Sequence, residues 1–335
     1  MQNILLICKP VLSFFNTAKT RSAYIHCILA AMKRLIFFTL IIFCSGKIHA
    51  QRISQQDYSL LQKQEDSLAY FSKKIIFDTV AVNRFRYDTI FIKQFVKALQ
   101  TPHSFYYTFD SLITVSIIYP PDSSFRIFSW QVQRDENYFR QYGAIQMNTA
   151  DGSLKLFPLF DASDFSSTPT DSVRNCKNWI GALYYFMLQK EYKNKKYYTL
   201  FGYDDNDFIS TKKWIEVLSF DAQGNPVFGG NFFDYPDDEL KPPQPVSRFC
   251  LEYKKDGGAK IMYDADLDMI LFDHLVSESD EANKRYTLIP DGDPEGFKWK
   301  NGKWVYVNKV FNSPALKDGQ APRPEPLFDI DEKKP

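Results

Sequence analysis

The chain has 335 residues, with 41 basic and 40 acidic side chains, a formal charge of +1, 16% aromatic residues and only 14 glycines. A balanced charge with no basic stripe excludes nucleic acid as an expected partner, and the aromatic content excludes a disordered chain. The length suits one large domain or two small ones.

Met32 to Gln51, MKRLIFFTLIIFCSGKIHAQ, reads as a secretory signal peptide. Lys33 and Arg34 supply the basic start, Leu35 to Phe43 the short apolar run, and Ile48-His49-Ala50 a cleavage site ending in a small residue. The apolar run is half of what a membrane span needs, about twenty residues. Cys44 follows the bulky Phe43, where lipoprotein processing wants a small residue, so a lipid anchor is not expected. Residues 1–31 hold two further apolar patches, Ile4 to Cys8 and Ile25 to Ala31, and no acid. Translation from Met32 explains them most simply; the rival is an N-terminal extension that turns the segment into an anchor. Six basic residues and no acidic ones lie in the first fifty, leaving 35 basic against 40 acidic side chains in the mature chain. The expected location is periplasmic or secreted, with no stable membrane span after cleavage.

Residues 51–103 read as helical. Ser54 with Asp57 forms a capping box, and Tyr58, Leu61, Leu68, Phe71 and Ile75 recur at helical spacing. A second helix fits Arg84 to Gln100, with Phe91, Phe95 and Leu99 every four residues beside Ile92 and Val96.

From Ser111 the period changes to two, with Ile113, Val115, Ile117 and Tyr119 on one face. Strands are predicted at Phe125 to Val132, Arg140 to Met147, Ser153 to Phe157, Ile180 to Leu188, Lys196 to Gly202 and Lys213 to Phe220. Further strands follow at Arg248 to Lys254, Ala259 to Tyr263, Met269 to Phe272, Tyr286 to Ile289 and Phe297 to Phe311. Turn signals such as Asp151-Gly152, Gly224-Asn225 and Asn301-Gly302 separate them. The fold class is therefore mainly β, a large antiparallel meander (curved sheet, sandwich or barrel-like) over 104–311, with a short helical N-terminal part. The proline-rich Tyr235 to Pro245 crosses between two halves of the sheet, and residues 312–335 form a disordered proline-rich tail.

The hairpin around Asn301-Gly302 is the best local signal, because both residues suit the positive φ of a type I′ turn. It sets Trp299 opposite Trp304 and Phe297 opposite Tyr306. Such an aromatic face is expected in the core, with a sugar-stacking platform as the other reading.

Three segments carry a resemblance: Phe125-Arg126-Ile127-Phe128-Ser129-Trp130, Lys196-Tyr197-Tyr198-Thr199-Leu200-Phe201-Gly202-Tyr203-Asp204 and Phe297-Lys298-Trp299-Lys300-Asn301-Gly302-Lys303-Trp304. With the helical start, their order resembles uncharacterised exported β-rich proteins of Gram-negative bacteria, a group that implies a layout and no function. Tyr119 to Ile127 also looks like the turn of a periplasmic propeller blade, but it occurs once, and a propeller needs repetition.

Candidate chemistry is sparse. Asp264, Asp266 and Asp268 alternate as at the start of a calcium loop, yet Met269 stands where the turn glycine belongs; Asp204, Asp205 and Asp207 lack that glycine too. His103, His274, Cys176 and Cys250 show no zinc spacing; the two cysteines could pair in an oxidising compartment. His274 follows Asp273, which a strand points to the opposite face. Glu216 shares a face with Trp214 and Leu218, where burial would raise its pKa unless a Lys or Arg pairs with it. No cofactor, metal or catalytic residue is assigned. The expected role is non-catalytic binding or structural, with a glycan or protein as possible ligand; the alternative is a hydrolase acting on glycan or peptide through dispersed carboxylates.

Overall fold

The computed structural model describes residues 53–308 and residue 310. The expected leader at 32–50, the upstream segment 1–31 and the proline-rich tail expected over 312–335 lie outside the described residues. Helix α1 spans Gln55–Phe77 and α2 spans Ala81–Leu99. Ser54 caps α1 as its spacing predicts: its Oγ accepts the Asp57 N–H at 3.0 Å and donates to the Asp57 carboxylate at 2.6 Å. Helix α2 starts three residues earlier than predicted and without a side-chain cap; Asp78 Oδ1 instead takes the Val80 N–H at 2.9 Å.

Fifteen strands follow. The first sheet holds β1 (Ser116–Ile118), β2 (Phe125–Asp135), β3 (Tyr138–Met147) and β4 (Leu156–Phe160) in sequential order. The second is built from β5 (Arg174–Asn175), β6 (Leu183–Tyr192), β7 (Lys195–Asp204), β8 (Ser210–Phe220) and β9 (Pro226–Phe228), ordered β5-β9-β8-β7-β6, with β11 (Arg248–Lys254) also paired to β8. The third takes β10 (Phe233–Asp234), β15 (Lys303–Val307), β14 (Leu288–Lys300), β13 (Met269–Ser277) and β12 (Ile261–Asp264), in that order. All pairings between strands are antiparallel except β10 with β15. The meander is thus divided among three sheets with no closed barrel. The Tyr235 to Pro245 segment carries the chain from β10 in the third sheet to β11 in the second.

Side-chain alternation on the strands makes a layered interior. On β2, Phe128, Trp130 and Val132 pack with Phe91, Phe95 and Leu99 of α2, whereas Phe125 and Ile127 pack with Tyr198, Leu200 and Leu218 of the second sheet. On β8, Trp214 and Leu218 belong to that same core, and Ile215 and Val217 face Phe249, Phe272 and Phe297 toward the third sheet. Helices, first sheet, second sheet and third sheet therefore follow one another, with β2 and β8 buried on both faces. No helix among the described residues is long and apolar enough to cross a membrane.

Buried polar side chains tie the layers. Glu65 lies on the buried stripe of α1 and accepts the Ser111 N–H at 2.6 Å and the Tyr107 hydroxyl. Arg126 is fully buried and meets no carboxylate among the described residues; it donates to the carbonyls of Tyr107 and Ser104 at 2.7 and 2.9 Å and to Gln146 Oε1 at 2.8 Å. The Phe128 ring lies 4.7 Å from its guanidinium carbon. These bonds hold the loop between α2 and β1 against the first sheet.

Trp130 Nε1 donates to Asp88 Oδ1 at 2.8 Å, and burial of Asp88 raises its carboxyl from the ordinary 3.8 to about 6. The folded chain therefore keeps this proton to higher pH than the unfolded chain does. Stability from Asp88 is fully present below about pH 4 and is lost as pH rises to about 6, by roughly 3 kcal/mol. Asp88→Asn keeps an acceptor for Trp130 and removes the ionisation. Urea denaturation across pH 4 to 7 should show this variant losing less stability than the parent chain over the same range, and parallel curves would contradict the assignment.

Two sequence expectations are corrected. The alternation over Ile113 to Tyr119 shrinks to the three residues of β1, and Ile113 is 74% exposed. Turns close there instead, Leu112 N–H to Phe109 O and Val115 N–H to Leu112 O, both at 3.0 Å, which bury Leu112 and Val115 at a spacing of three. The strand predicted at Tyr286 to Ile289 is instead the start of a continuous β14 that runs into the first arm of the predicted hairpin, and β15 is the second arm; residues 309 and 311 of that expectation lie outside the described residues. Pro290, Gly292 and Pro294 disguised β14 as a turn, because proline is rare inside a sheet except at bulges.

Candidate functional site

Strands β8 and β11 set their side chains in strict register: Trp214 opposite Cys250, Lys212 opposite Glu252 and Glu216 opposite Arg248. Across β8 on the other edge, Gly202 of β7 stands opposite Trp214. A Cβ there would come within 2.9 Å of the Ala182 Cβ and 3.3 Å of the Trp214 Cβ, so the absent side chain makes room for the indole.

Above this face lies an open cavity of about 270 Å³. Lys212, Trp214, Cys250 and Glu252 come from the strands, and Arg285 stands on a short 3-10 turn before β14. Two loops complete the walls, Ser167 to Thr170 and the proline-rich crossing at Leu240, Pro242 and Pro243. The first loop is anchored to β11. Arg248 donates to the Pro169 carbonyl, and the Ser247 N–H donates to the Thr170 carbonyl at 2.7 Å.

Glu216 is the expected acid on an apolar strand face, and it is paired rather than free. Fully buried, it accepts Arg248 Nε at 2.6 Å on one oxygen and the Tyr184 hydroxyl at 2.6 Å on the other. Tyr184 in turn accepts the Trp179 indole N–H at 2.8 Å; its burial, and the nearby Glu216 charge, push the phenol well above its ordinary range. Glu216 therefore holds the cavity wall through Arg248 and presents no free carboxylate.

Two of the residues that line the cavity hold a buried donor without a partner. Trp214 is 2% exposed, yet its indole Nε1 meets no acceptor among the described residues. Arg285 Nη1 is likewise buried without a partner, and this guanidinium makes no hydrogen bond or ion pair with any described residue. Lys212 is better satisfied, by Asn206 Oδ1 at 2.8 Å and by Glu252 at 3.9 Å.

A second, more acidic cavity of about 390 Å³ lies beside β13 and β14. Between Asp273↔Pro294 and Leu275↔Pro290, three residues of β14 oppose His274 alone. Gly292 takes a φ of 94° in that bulge, which bends the strand and brings Asp291 Oδ2 to 2.7 Å from His274 Nδ1. Burial pushes Asp291 up, but the Asp293 amide and His274 more than offset it and hold its carboxyl below the ordinary range. Asp238 and Glu295 share this cavity and both bind Lys241, at 3.1 Å for Glu295. His274 thus meets an acid from the next strand, not its neighbour Asp273, whose Oδ2 accepts the Lys260 N–H at 2.8 Å.

The remaining candidates act locally. Asp264 Oδ1 accepts the N–H groups of Asp266 and Leu267 at 3.0 and 2.9 Å, and Asp268 binds Lys190 and Tyr263. Asp204 accepts from Gln141 at 3.1 Å and Asn206 at 2.9 Å, Asp205 binds Lys255 at 3.1 Å, and Asp207 accepts the Ser210 N–H at 2.7 Å. Burial raises Asp204 to about 6. Cys176 and Cys250 are both free thiols, so the pairing considered above does not form; burial pushes the Cys176 thiol up to about 11. His103 has a left-handed backbone and donates its N–H to the Gly152 carbonyl at 2.9 Å.

No family profile, curated protein or solved structure matches this chain. The Trp299–Trp304 pair has the expected edge-to-face arrangement, with ring centroids 5.1 Å apart at 63°. Trp304 and Phe297 are fully buried, and Trp299 and Tyr306 pack against that core partly buried. Trp304 Nε1 donates to Thr199 Oγ1 at 3.0 Å. This geometry is that of core.

Sequence reasoning placed Trp214 and Glu216 on one face and marked the proline-rich crossing, but missed Arg285, Lys212 and the Ser167 to Thr170 loop. Alternating charges at Lys212 and Glu216 answer Glu252 and Arg248 in opposite order, a signal readable only once the pairing of β8 with β11 is known.

Proposed function

We propose that this chain is an exported binding protein of the bacterial cell envelope, periplasmic or secreted, with its ligand seated over Trp214. The observation that carries this reading is an open cavity lined by two residues, Trp214 and Arg285, that each hold a buried donor without an acceptor among the described residues. Buried donors left unpaired cost roughly 1–3 kcal/mol each, which a ligand acceptor would recover. The basic start, apolar run and IHA-Q junction of residues 32–51 support the location.

The second reading is a hydrolase. Its specific support is His274 paired with Asp291 at 2.7 Å beside Asp238 and Glu295 in the acidic cavity, where the imidazole would serve as a base toward water.

Two measurements test the proposal. N-terminal mass spectrometry on the envelope fraction should find Gln51 first; a chain beginning at Met1 and retained in the cytoplasm ends the exported reading. Glycan fragments and peptides should raise the melting temperature while remaining intact by mass spectrometry. Cleavage of any of them that disappears in His274→Ala would transfer the assignment to the hydrolase reading.

A further inference from the structure

Resting on the binding reading, we infer that the cavity over Trp214 takes a carboxylate, presented by a ligand end group about one ring or one residue in size. The argument begins with charge. Among the lining cations, Lys212 already has Glu252 and Asn206, whereas Arg285 has no counter-charge among the described residues. The uncompensated charge is therefore one positive charge, which calls for one negative charge.

Donor geometry narrows the class. A planar guanidinium matches the two oxygens of a carboxylate, and the Trp214 indole can donate only, so it wants an acceptor. Glu252 disfavours a dianion such as a phosphate monoester, because its carboxylate lines the same cavity. The walls fit a carbon skeleton: Pro169, Leu240, Pro242 and Pro243 offer apolar surface. At about 270 Å³ the cavity falls just below the roughly 300–1,000 Å³ of sites for drug-sized ligands, which limits the occupant to a single unit. Two envelope chemistries present such an end group, a sugar acid and the C-terminal residue of a peptide.

Isothermal titration of the purified chain distinguishes these sources. The probes are glucuronic acid against glucose, N-acetylalanine against N-acetylalaninamide, and inorganic phosphate. At least one acid should bind about tenfold more tightly than its neutral twin, as loss of a charge-assisted bond implies. Preference for glucuronic acid assigns the sugar-acid source, and preference for N-acetylalanine assigns the peptide terminus. Arg285→Gln should weaken the preferred acid by about tenfold or more, with partial recovery in Arg285→Lys. Trp214→Phe keeps an aromatic ring and deletes the orphan N–H, with some loss of packing. It should weaken the acid several-fold and the neutral twin little, an outcome that separates a binding role from a structural one.

The carboxylate assignment is overturned if neither acid binds, if phosphate binds as tightly as the acids, or if Arg285→Gln and Trp214→Phe bind like the parent chain. Neutral twins that bind as well as the acids also overturn it, while leaving the binding-protein reading standing. Hydrolysis of a glycan or peptide with His274 intact removes that reading by a different measurement.

Discussion

Arg248→Met is expected to destabilise the fold by about 3–5 kcal/mol, the usual cost of leaving one member of a buried ion pair without the other. Both Arg248 and Glu216 have fully buried side chains, and the 2.6 Å contact between them spans neighbouring strands in direct register. Removing the guanidinium leaves a carboxylate with only the Tyr184 hydroxyl, and it also frees the Pro169 carbonyl. Adding Glu216→Gln to the Met variant should recover much of the loss, because no buried charge then remains. Urea denaturation of the parent, single and double variants measures both effects. A single variant as stable as the parent would contradict the buried ion pair. Hydrogen exchange should rise at residues 167–170 in the single variant, since that loop is held through Arg248 and Ser247. As a contrast, removing either member of the exposed Lys284–Glu281 pair should leave stability almost unchanged.

Trp304→Ala should also lower stability by about 3–5 kcal/mol. The residue has no exposed surface, pairs edge to face with Trp299 and donates to Thr199. Thermal and urea unfolding check the value. Trp299→Ala, at a partly buried site, should cost less. Asn301→Val should hurt as well, since Asn301 has a φ of 52° that a β-branched side chain resists. A Trp304→Ala chain that unfolds like the parent yet loses glycan binding would recast the hairpin as a stacking platform.

The motifs that gave the sequence its resemblance have structural employment. In the FRIFSW segment, Arg126 holds the loop after α2, Ser129 accepts the Tyr184 N–H at 2.9 Å and Trp130 reaches Asp88. In the YYTLFGYD segment, Thr199 receives Trp304 and Gly202 clears space beside Trp214. The Arg248 to Lys254 strand matched its predicted bounds because its apolar alternation is uninterrupted. Glu65 and Ser72 escaped notice because an apolar count cannot see polar residues that occupy a buried stripe with partners of their own. Arg126 escaped for the same reason. The two cavities were the least legible features. His274 finds Asp291 only through a bulge between two prolines, and Arg285 reaches Trp214 from seventy-one positions along the chain. Contacts of that kind are set by strand pairing and loop placement, which periodicity does not encode.

One edge of β8 is shared: β9 completes it over Leu218–Phe220, and β11 completes it over Ser210–Glu216. The strand that completes most of this edge leaves the chain's growing end last, after β10 and the proline-rich crossing have already passed. A polypeptide threaded N-terminus first would therefore hold β8 with most of one side open until residue 254 has emerged. During that interval the backbone amides of Ser210 to Glu216 on that side lack their native partners, and they would be a natural docking strip for the same strand of another nascent copy. Late arrival of β11 makes this the step at which folding and misassembly compete.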